Sequence, residues 1–363
     1  MTDTGGGAGD NIMALLHAAV EREASDLHLV PGYRATFRIH GRLEQVGEAA
    51  LAAGEVRRMV ESILPQRLLA RLADGKNFDC SLAIDHAGRA YRFRANVFLA
   101  QGEWCLCLRN VPDEIPSFAW MGFAPGLAER LISHRNGLVI VTGVTGSGKT
   151  TTLAALVNLL NQKGGYRVVT VEEPVEYVHK PLSSSMVVQR EVGRDVDSFY
   201  DGLKYGLRQD PDVILIGEIR DRETARMALS AAETGHLILT TLHTKDAKGA
   251  VTRFVDLFPH EAQEDVRTQL GLSLRSVVSQ HLLPSADAGK RALALEILHV
   301  NHPVRIAIKF AKIESIESAI QTGRRDGMLT LDDDLQRLLV ERRITGETAR
   351  RFAKDPEGLG ASG

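Results

Sequence analysis

Apolar residues recur at helical spacing near the start of the chain and then give way to short strand-like segments. Residues 12–23 place leucines and alanines on one helical face, and residues 56–72 form a second helical stretch. Strand-like segments bounded by turn residues cover 25–30, 36–40, 77–85, 89–98 and 103–109. This mixture of helices and strands predicts a small α+β domain over residues 11–109.

The pattern changes after residue 109. Residues 110–117 contain two prolines and several turn-forming residues, which indicates a linker between domains. Beyond it, apolar runs alternate with helical patterns, and this alternation predicts a mostly parallel sheet in an α/β domain over residues 118–363. Thr330, followed by a leucine and three aspartates, is typical of a helix start in a helical C-terminal region. The Gly-rich residues 1–10 are predicted to be a disordered tail.

Composition limits the classes of function without choosing one. The 363 residues, 44% of them hydrophobic, suffice for two packed cores. No apolar run approaches the ~20 residues that span a bilayer, so a soluble protein is expected. A formal net charge of -2 argues against a nucleic-acid-binding domain, for which a basic excess is typical. Three cysteines without CxxC spacing argue against a disulfide framework or a four-ligand zinc site.

The most specific motif lies between an apolar strand and a helix. Residues 143–150 (Gly-Val-Thr-Gly-Ser-Gly-Lys-Thr) match the phosphate-binding pattern G-x-x-x-x-G-K-[ST] completely. Its glycines let backbone N–H groups approach phosphate oxygens, and the following helix N-terminus adds partial positive charge. Lys149 is expected to reach the β- and γ-phosphates, and the Thr150 hydroxyl to coordinate Mg²⁺. The residues predicted to bind nucleotide are Gly143, Val144, Thr145, Gly146, Ser147, Gly148, Lys149, Thr150 and Thr151.

Hydrolysis also needs a group that acts on water. Residues 211–218 form an apolar strand that ends in Glu218, with Gly217 where many P-loop enzymes have a metal-binding aspartate. Glu218 is therefore the candidate to orient or deprotonate the attacking water and to share in holding Mg²⁺. The competing interpretation is a strand-end glutamate in solvent.

Two further strand ends carry candidate polar residues. The strand 168–171 runs into an acidic segment with Glu172 and Glu176, predicted to position metal or water because open α/β sheets bind ligands at this edge. A solvated acidic loop gives the same pattern. The strand 235–244 ends near His243, which is predicted to sense the γ-phosphate or to link it to a neighbouring contact. A lone histidine at a strand end is more often structural, so this prediction depends on the other motifs.

In this order and spacing, the motifs resemble those of the secretion ATPase superfamily, the motors of type II secretion, type IV pili and type IV secretion. Residues 172–176 resemble its Asp box, residues 217–221 its Walker B motif and residues 235–244 its His box. Glu173 stands where the family usually has aspartate, whereas the absence of a Walker B aspartate is normal for it. The resemblance extends from about residue 11 to residue 353.

The motifs are most similar to those of the pilus-retraction (PilT-like) branch. The segments that resemble this branch are residues 25–29, 189–193 and 207–212. Extension and type II secretion motors usually have a larger N-terminal extension and a tetracysteine zinc insertion, neither of which is seen here. The retraction branch's Ala-Ile-Arg-Asn-Leu-Ile-Arg-Glu element corresponds to residues 303–310, which keep an arginine and a second basic residue but lack the asparagine and the glutamate.

The resemblance implies an α/β fold. An N-terminal PAS-like α+β domain precedes a RecA-like P-loop NTPase domain with a mostly parallel sheet and a helical C-terminal region. Family members are hexameric rings in which ATP sits between the two domains and arginines of the N-terminal domain close on the phosphates. Arg92 and Arg94 are the candidates here, with Arg38 and Arg109 as weaker ones.

The implied function is a Mg²⁺-dependent, ATP-hydrolysing motor of a type IV pilus system that powers retraction and so twitching motility. Its partners would be further copies in a hexamer, an inner-membrane platform protein and other pilus ATPases. Stable nucleic-acid binding is not expected, and membrane contact would come only through partners. The expected location is the cytoplasm, at the inner membrane face.

Several alternatives stay open. In the first alternative, the chain is not the main retraction motor but an accessory retraction motor, an extension motor or a type II secretion motor. A DNA-translocating RecA-like ATPase would show DNA-stimulated hydrolysis with steep salt dependence. A regulatory nucleotide-binding subunit would bind ATP but turn it over little.

Overall fold

The structure is a computed structural model that describes residues 8–73, 77–111, 114–287 and 290–359. Most of the predicted tail (residues 1–7) and two linker residues, Pro112 and Asp113, lie outside the described residues. The chain divides into two compact units. The N-terminal unit holds the described residues up to Glu114 together with Glu173–Val178 and Glu191–Asp197, and the C-terminal unit holds the others.

The N-terminal unit contains an antiparallel six-stranded sheet in the order β3-β2-β1-β6-β5-β4. Its strands are β1 (Asp26–Leu29), β2 (Thr36–Ile39), β3 (Arg42–Gln45), β4 (Phe78–His86), β5 (Arg89–Ala100) and β6 (Glu103–Val111). Its helices are α1 (Ala8–Glu21), α2 (Ala53–Ile63) and α3 (Gln66–Ala73). The single helical stretch expected over residues 56–72 is thus two helices, because Pro65 lacks the N–H that would continue the first. Strand β3 is absent from the sequence prediction.

Alternation along β5 separates the core of this unit from a polar face. Phe93, Ala95 and Val97 are fully buried, whereas Arg92 and Arg94 are only partly buried. Because successive side chains of a strand point to opposite faces, both arginines lie on the face away from the core. The core side chains behind them come from the helices and the other strands, and include Leu16, Leu27, Phe37 and Met59.

The C-terminal unit is built on a seven-stranded sheet in the order β13-β12-β7-β11-β10-β8-β9. Its strands are β7 (Gly137–Thr142), β8 (Arg167–Glu172), β9 (Met186–Glu191), β10 (Val213–Ile216), β11 (Leu237–Leu242), β12 (Leu274–Pro284) and β13 (Arg291–His299). The pairs from β12 to β8 are parallel, as predicted, and β12 pairs antiparallel with β13. The central strands are buried on both faces, which explains their continuous apolar runs.

Helices pack around this sheet, and the last of them ends at Phe352. They are α4 (Phe118–Met121), α5 (Pro125–Ile132), α6 (Lys149–Lys163), α7 (Phe199–Gly206), α8 (Arg222–Glu233), α9 (Ala247–Val255), α10 (Gln263–Ser273), α11 (His302–Lys309), α12 (Ser315–Thr322), α13 (Leu331–Val340) and α14 (Gly346–Phe352). Helix α13 begins as predicted, with the Thr330 side chain accepting the Asp333 N–H. Within the described ranges, no helix has both the length and the apolar character needed to cross a membrane.

Candidate nucleotide-binding and hydrolysis site

The loop between β7 and α6 has the backbone of a phosphate cradle. Gly143, Gly146 and Gly148 have φ values of 143°, 81° and 89°, a region that favours glycine. A Cβ atom on Gly143 would collide with the Ser147 hydroxyl and the Gln280 carbonyl, whereas the space beside Gly146 and Gly148 is open. Gly148 is the N-cap of α6, so the N–H groups of the loop continue directly into those of a helix N-terminus.

Two buried side chains make this loop suitable for binding an anion. The Ser147 hydroxyl is buried and has no hydrogen-bond partner among the described residues. Lys149 is 7% exposed, and its Nζ donates to the carbonyls of Gly143 at 2.8 Å and Val144 at 3.1 Å. Burial lowers the pKa of Lys149, with the charge of Glu218 acting in the opposite direction. Backbone N–H groups, a hydroxyl and an ammonium group suit a polyphosphate.

The strand order brings three candidate residues together. Lys149 follows β7, His243 follows β11 and Glu218 follows β10, and β11 lies between the other two strands. His243 accordingly bridges the pair: its Nδ1 is 3.3 Å from Lys149 Nζ, and its Nε2 is 3.2 Å from Glu218 Oε1. Because an ammonium group only donates, Nδ1 is the acceptor and the ring proton lies on Nε2, facing the carboxylate.

A residue that sequence reasoning overlooked also contacts this group. Arg220 NH2 is 2.9 Å from Glu218 Oε2, so the carboxylate has a cationic partner on one oxygen and His243 on the other. The Glu218 side chain is 17% exposed, whereas that of Arg220 is 61% exposed. The position of Arg220 two residues after Glu218, in the same motif, is the signal that could have identified it.

The two candidate acids at the end of β8 and just beyond it, Glu172 and Glu176, belong to different units. Glu172 is buried in the C-terminal unit, where its Oε1 accepts hydrogen bonds from Thr170 Oγ1 at 2.6 Å and Gln189 Nε2 at 3.1 Å. Glu176 belongs to the N-terminal unit and is 3.3 Å from Arg94. Within the described residues, no three His, Cys, Asp or Glu side chains are grouped so as to hold a metal ion. The Thr150 hydroxyl, Glu172 and Glu176 stay the predicted ligands of a divalent cation.

The candidate arginines of the N-terminal unit are tied to the same acidic segment. Arg94 contacts Asp79 at 3.2 Å as well as Glu176, and Arg92 NH2 donates to the Val175 carbonyl at 3.1 Å. Glu191 supports this arrangement, because its buried carboxylate accepts the N–H groups of Ser81 and Val175. Asp79 gave no signal in the sequence, and Glu191 lies in the 189–193 segment without any sign of this role, since each acts through a partner distant along the chain.

Comparison with known proteins assigns the family. Residues 8–355 match the model of the family described as Type II/IV secretion system protein. The chain belongs to this family. Its α/β architecture, an N-terminal domain followed by a sheet-containing ATPase domain, is that of solved members.

Individual Type II/IV secretion system proteins are similar over almost the whole chain. A twitching motility protein of Neisseria gonorrhoeae is 37% identical over 96% of this chain and 92% of its own length. The type IV pilus retraction ATPase PilT of Pseudomonas aeruginosa is 38% identical over 96% of this chain and its full length. A crystal structure of the pilus retraction motor PilT with bound ADP superposes with a TM-score of 0.85, at 38% identity, over 96% of this chain and 98% of that one.

The weaker arginine candidates of this family member occupy a different place. Arg109 Nε is 2.8 Å from Asp26 Oδ1, and Arg38 Nε is 3.9 Å from Asp26 Oδ2. Asp26 is 6% exposed, and burial of its carboxylate is offset by these cations and by the Ser25 hydroxyl. Their contacts are those of a structural ion pair.

Proposed function

We propose that this chain is the ATP-hydrolysing motor of a type IV pilus system and powers pilus retraction. The observation that carries the proposal is the His243 bridge between the P-loop Lys149 and Glu218, in a chain 38% identical to a pilus retraction ATPase. The bridge joins the residue suited to bind the terminal phosphates with the residue suited to activate water. A protein that only binds nucleotide has no need of the second.

In the proposed mechanism the P-loop holds the substrate and Glu218 acts on water. Residues 143–151 surround the phosphates with N–H groups, and Lys149 exchanges its loop carbonyls for phosphate oxygens. Bound Mg²⁺, held by the Thr150 hydroxyl with Glu172 and Glu176 as further candidates, supplies charge neutralisation of the phosphates. Glu218 accepts a proton from the water that attacks the γ-phosphorus, and the bond to the ADP oxygen breaks.

His243 gives the site a means of registering the γ-phosphate. When Lys149 moves from its loop carbonyls towards a phosphate oxygen, its 3.3 Å contact with His243 changes, and the His243–Glu218 contact changes with it. We assign Arg92 and Arg94 of the N-terminal unit to phosphate charge stabilisation during the reaction.

The assembly proposed for this motor follows its relatives. Residues 11–109 form a PAS-like domain, residues 110–117 a linker and residues 118–363 a RecA-like domain, and six copies form a ring. The ring works on an inner-membrane platform protein from the cytoplasmic side, alongside other pilus ATPases. Stable binding of nucleic acid is not expected, because the near-neutral net charge of -2 offers no general attraction for it.

A second candidate function is an accessory retraction motor. Helix α11 covers most of the segment that corresponds to the retraction branch's conserved element, and it has Arg305 and Lys309 but neither the asparagine nor the glutamate. Among the relatives, the type IV pilus ATPase PilU of Pseudomonas aeruginosa is 34% identical over 95% of this chain. An accessory motor would hydrolyse ATP by the same site.

The test is phosphate release by the purified full-length chain with ATP and Mg²⁺, combined with light scattering. The expected result is steady turnover by a particle of six chains. A chain that stays monomeric would contradict the ring, and a single burst without turnover would favour a regulatory subunit. DNA-stimulated, salt-sensitive hydrolysis would favour a DNA translocase. Restoration of twitching in a Pseudomonas aeruginosa strain without its PilT would separate the retraction motor from the accessory one.

A further inference from the structure

His243 has a support that originates at the far C-terminal end of the described chain. We infer that Lys354, acting through the buried carboxylate of Glu296, is a positioning residue for His243. The inference rests on the proposed function, because it concerns the geometry of the same hydrolytic site. It adds helices α12 to α14, which carry none of the motifs, to the support of that site.

The chain after His243 is first held by two hydroxyl groups. Thr142 Oγ1, at the end of β7, accepts the N–H of Thr244 at 2.9 Å and lies 2.8 Å from its hydroxyl. One residue further, the Ser279 hydroxyl of β12 donates to the Lys245 carbonyl at 3.0 Å. These contacts fix the direction in which the chain leaves β11.

The next contact in this segment is a hydrogen bond from a backbone N–H to a buried carboxylate. Ala247 is the first residue of α9, and its N–H donates to Glu296 Oε1 at 2.8 Å. Glu296 lies on β13 and is 2% exposed. A carboxylate is favourable at a helix N-terminus, where N–H groups lack helical partners. Glu296 thus fixes the start of α9, four residues after His243.

Lys354 neutralises the other half of this carboxylate. Its Nζ is 2.6 Å from Glu296 Oε2, which makes a charge-assisted hydrogen bond. Burial lowers the pKa of Lys354, but the hydrogen bond and charge of Glu296 outweigh burial, so its pKa is raised and the ammonium stays charged at neutral pH. Without this cation, Glu296 would be a buried charge whose solvation is lost and not replaced.

Lys354 is itself held in place by the C-terminal helices. The Lys354 and Asp355 N–H groups donate to the two carboxylate oxygens of Asp332 in α13, at 2.8 and 2.9 Å. Glu317 of α12 lies 3.6 Å from Lys354 and 3.6 Å from Lys248 of α9. A displacement of α12 to α14 therefore reaches the start of α9 by direct contacts.

A loss of this support should affect the chemical step more than nucleotide binding. His243 contacts Lys149 at 3.3 Å and Glu218 at 3.2 Å, both near the limit of a useful hydrogen bond. A small shift of the loop breaks them, whereas the phosphate cradle is held by its own backbone. A positioning role therefore predicts a lower kcat with an almost unchanged KM for ATP.

The experiment is the Lys354→Met variant in the full chain, with Lys290→Met as the matched control. Lys290 belongs to an exposed ion pair with Asp287, with side chains 72% and 70% exposed. We expect Lys354→Met to lower kcat about five- to tenfold with KM within about twofold, and Lys290→Met to change neither. Adding Glu296→Gln, which removes the buried charge but keeps an acceptor for the Ala247 N–H, should recover most of kcat.

A second background separates positioning from general stability. In a His243→Ala chain, Lys354→Met should cost less than about twofold further in kcat, because the residue it positions is gone. The same fractional loss in both backgrounds, or a Lys354→Met variant that behaves like Lys290→Met, would overturn the inference. If Lys354→Met does not fold, Lys354→Gln replaces it with the same expected split.

Hydrogen exchange keeps this inference distinct from the proposed function. In Lys354→Met, exchange of the Ala247 amide should be faster than in the wild type, and unchanged exchange would overturn the positioning role. A wild-type chain that hydrolyses no ATP would instead overturn the proposed function, and the exchange measurement would still decide whether Lys354 holds this loop.

Discussion

The two units carry their candidate catalytic residues in different ways. In the C-terminal unit, Lys149, His243 and Glu218 follow three adjacent parallel strands and contact one another at 3.3 and 3.2 Å. In the N-terminal unit, Arg94 lies in the middle of an antiparallel strand and pairs with Glu176, which reaches that unit by a separate excursion of the chain. The fold class itself brings the residues of the C-terminal group together, whereas those of the N-terminal group meet only through particular side-chain pairs.

This difference predicts how strongly each group depends on residues outside it. Parallel strands end at a common edge, so any α/β sheet with this strand order places the three residues together. The arginine group depends on the register of β5 and on the carboxylates of Asp79 and Glu191 that fix its surroundings. We therefore expect the C-terminal group to govern chemistry and the N-terminal group to be the more easily uncoupled from it.

The largest expected effect is that of Lys149→Ala. Removal of the ammonium group that would bind the terminal phosphates should reduce kcat/KM for ATP by about a thousandfold or more. The measurement is phosphate release, and the control is Lys163→Ala at the other end of α6, where Lys163 pairs with Glu129 on the surface. Hydrolysis at the parental rate by Lys149→Ala would refute the assignment of the site.

Next in size is the effect of Glu218→Gln. The amide keeps the shape of the side chain but is too weak a base, so turnover should fall about a hundredfold or more. Nucleotide binding, followed with a fluorescent ATP analogue, should be retained within a few-fold. Loss of nucleotide binding would instead show that Glu218 mainly binds the metal ion or stabilises the fold, and that another residue activates water.

A smaller effect is expected from the N-terminal group. Arg94→Gln should lower kcat at least about tenfold, because it removes a cation assigned to the phosphates. Arg109→Gln is the control, since this arginine contacts Asp26 and is not assigned to the reaction. Equal kcat values for the two variants would mean that Arg94 serves only its ion pairs with Asp79 and Glu176.

The smallest effect is a pH-dependent one on stability. Burial raises the pKa of Asp26, but hydrogen bonds from Arg109 and Ser25 outweigh burial, so its pKa is lowered in the folded protein. A lowered acid pKa stabilises the fold above about pH 4, and this contribution is lost as the pH falls through the folded pKa. Asp26→Asn should lower the free energy of unfolding by about 1 kcal/mol at pH 7, a modest amount because its partner Arg109 is largely exposed.

Denaturant unfolding of Asp26→Asn and the wild type, at pH 7 and near pH 3, measures the pH dependence of the Asp26 contribution. The difference between the two proteins should shrink at the lower pH, while that for the surface variant Asp287→Asn stays near zero at both. A gap that is independent of pH would show that Asp26 contributes by packing alone.

Much of the C-terminal unit could be predicted because its signals are local. The P-loop between β7 and α6 requires glycines at fixed positions, and the apolar runs of β8, β10 and β11 follow from burial on both faces. The hairpin of β12 and β13 was not predicted, although both strands are apolar, because pairing with β7 rather than periodicity defines them. Strand β3 is exposed along its whole length and so has no apolar pattern to detect.

The phosphate-binding loop, the mostly parallel sheet and the order of the polar strand ends all follow from local sequence, because each depends on neighbours along the chain. The contacts of Glu176 with Arg94, 82 residues away, and of Lys354 with Glu296, 58 residues away, arise only from the folded chain. Such pairs depend on strand register and helix packing, which arise only when the cores assemble. A charged residue looks the same in the sequence whether it faces water or a partner.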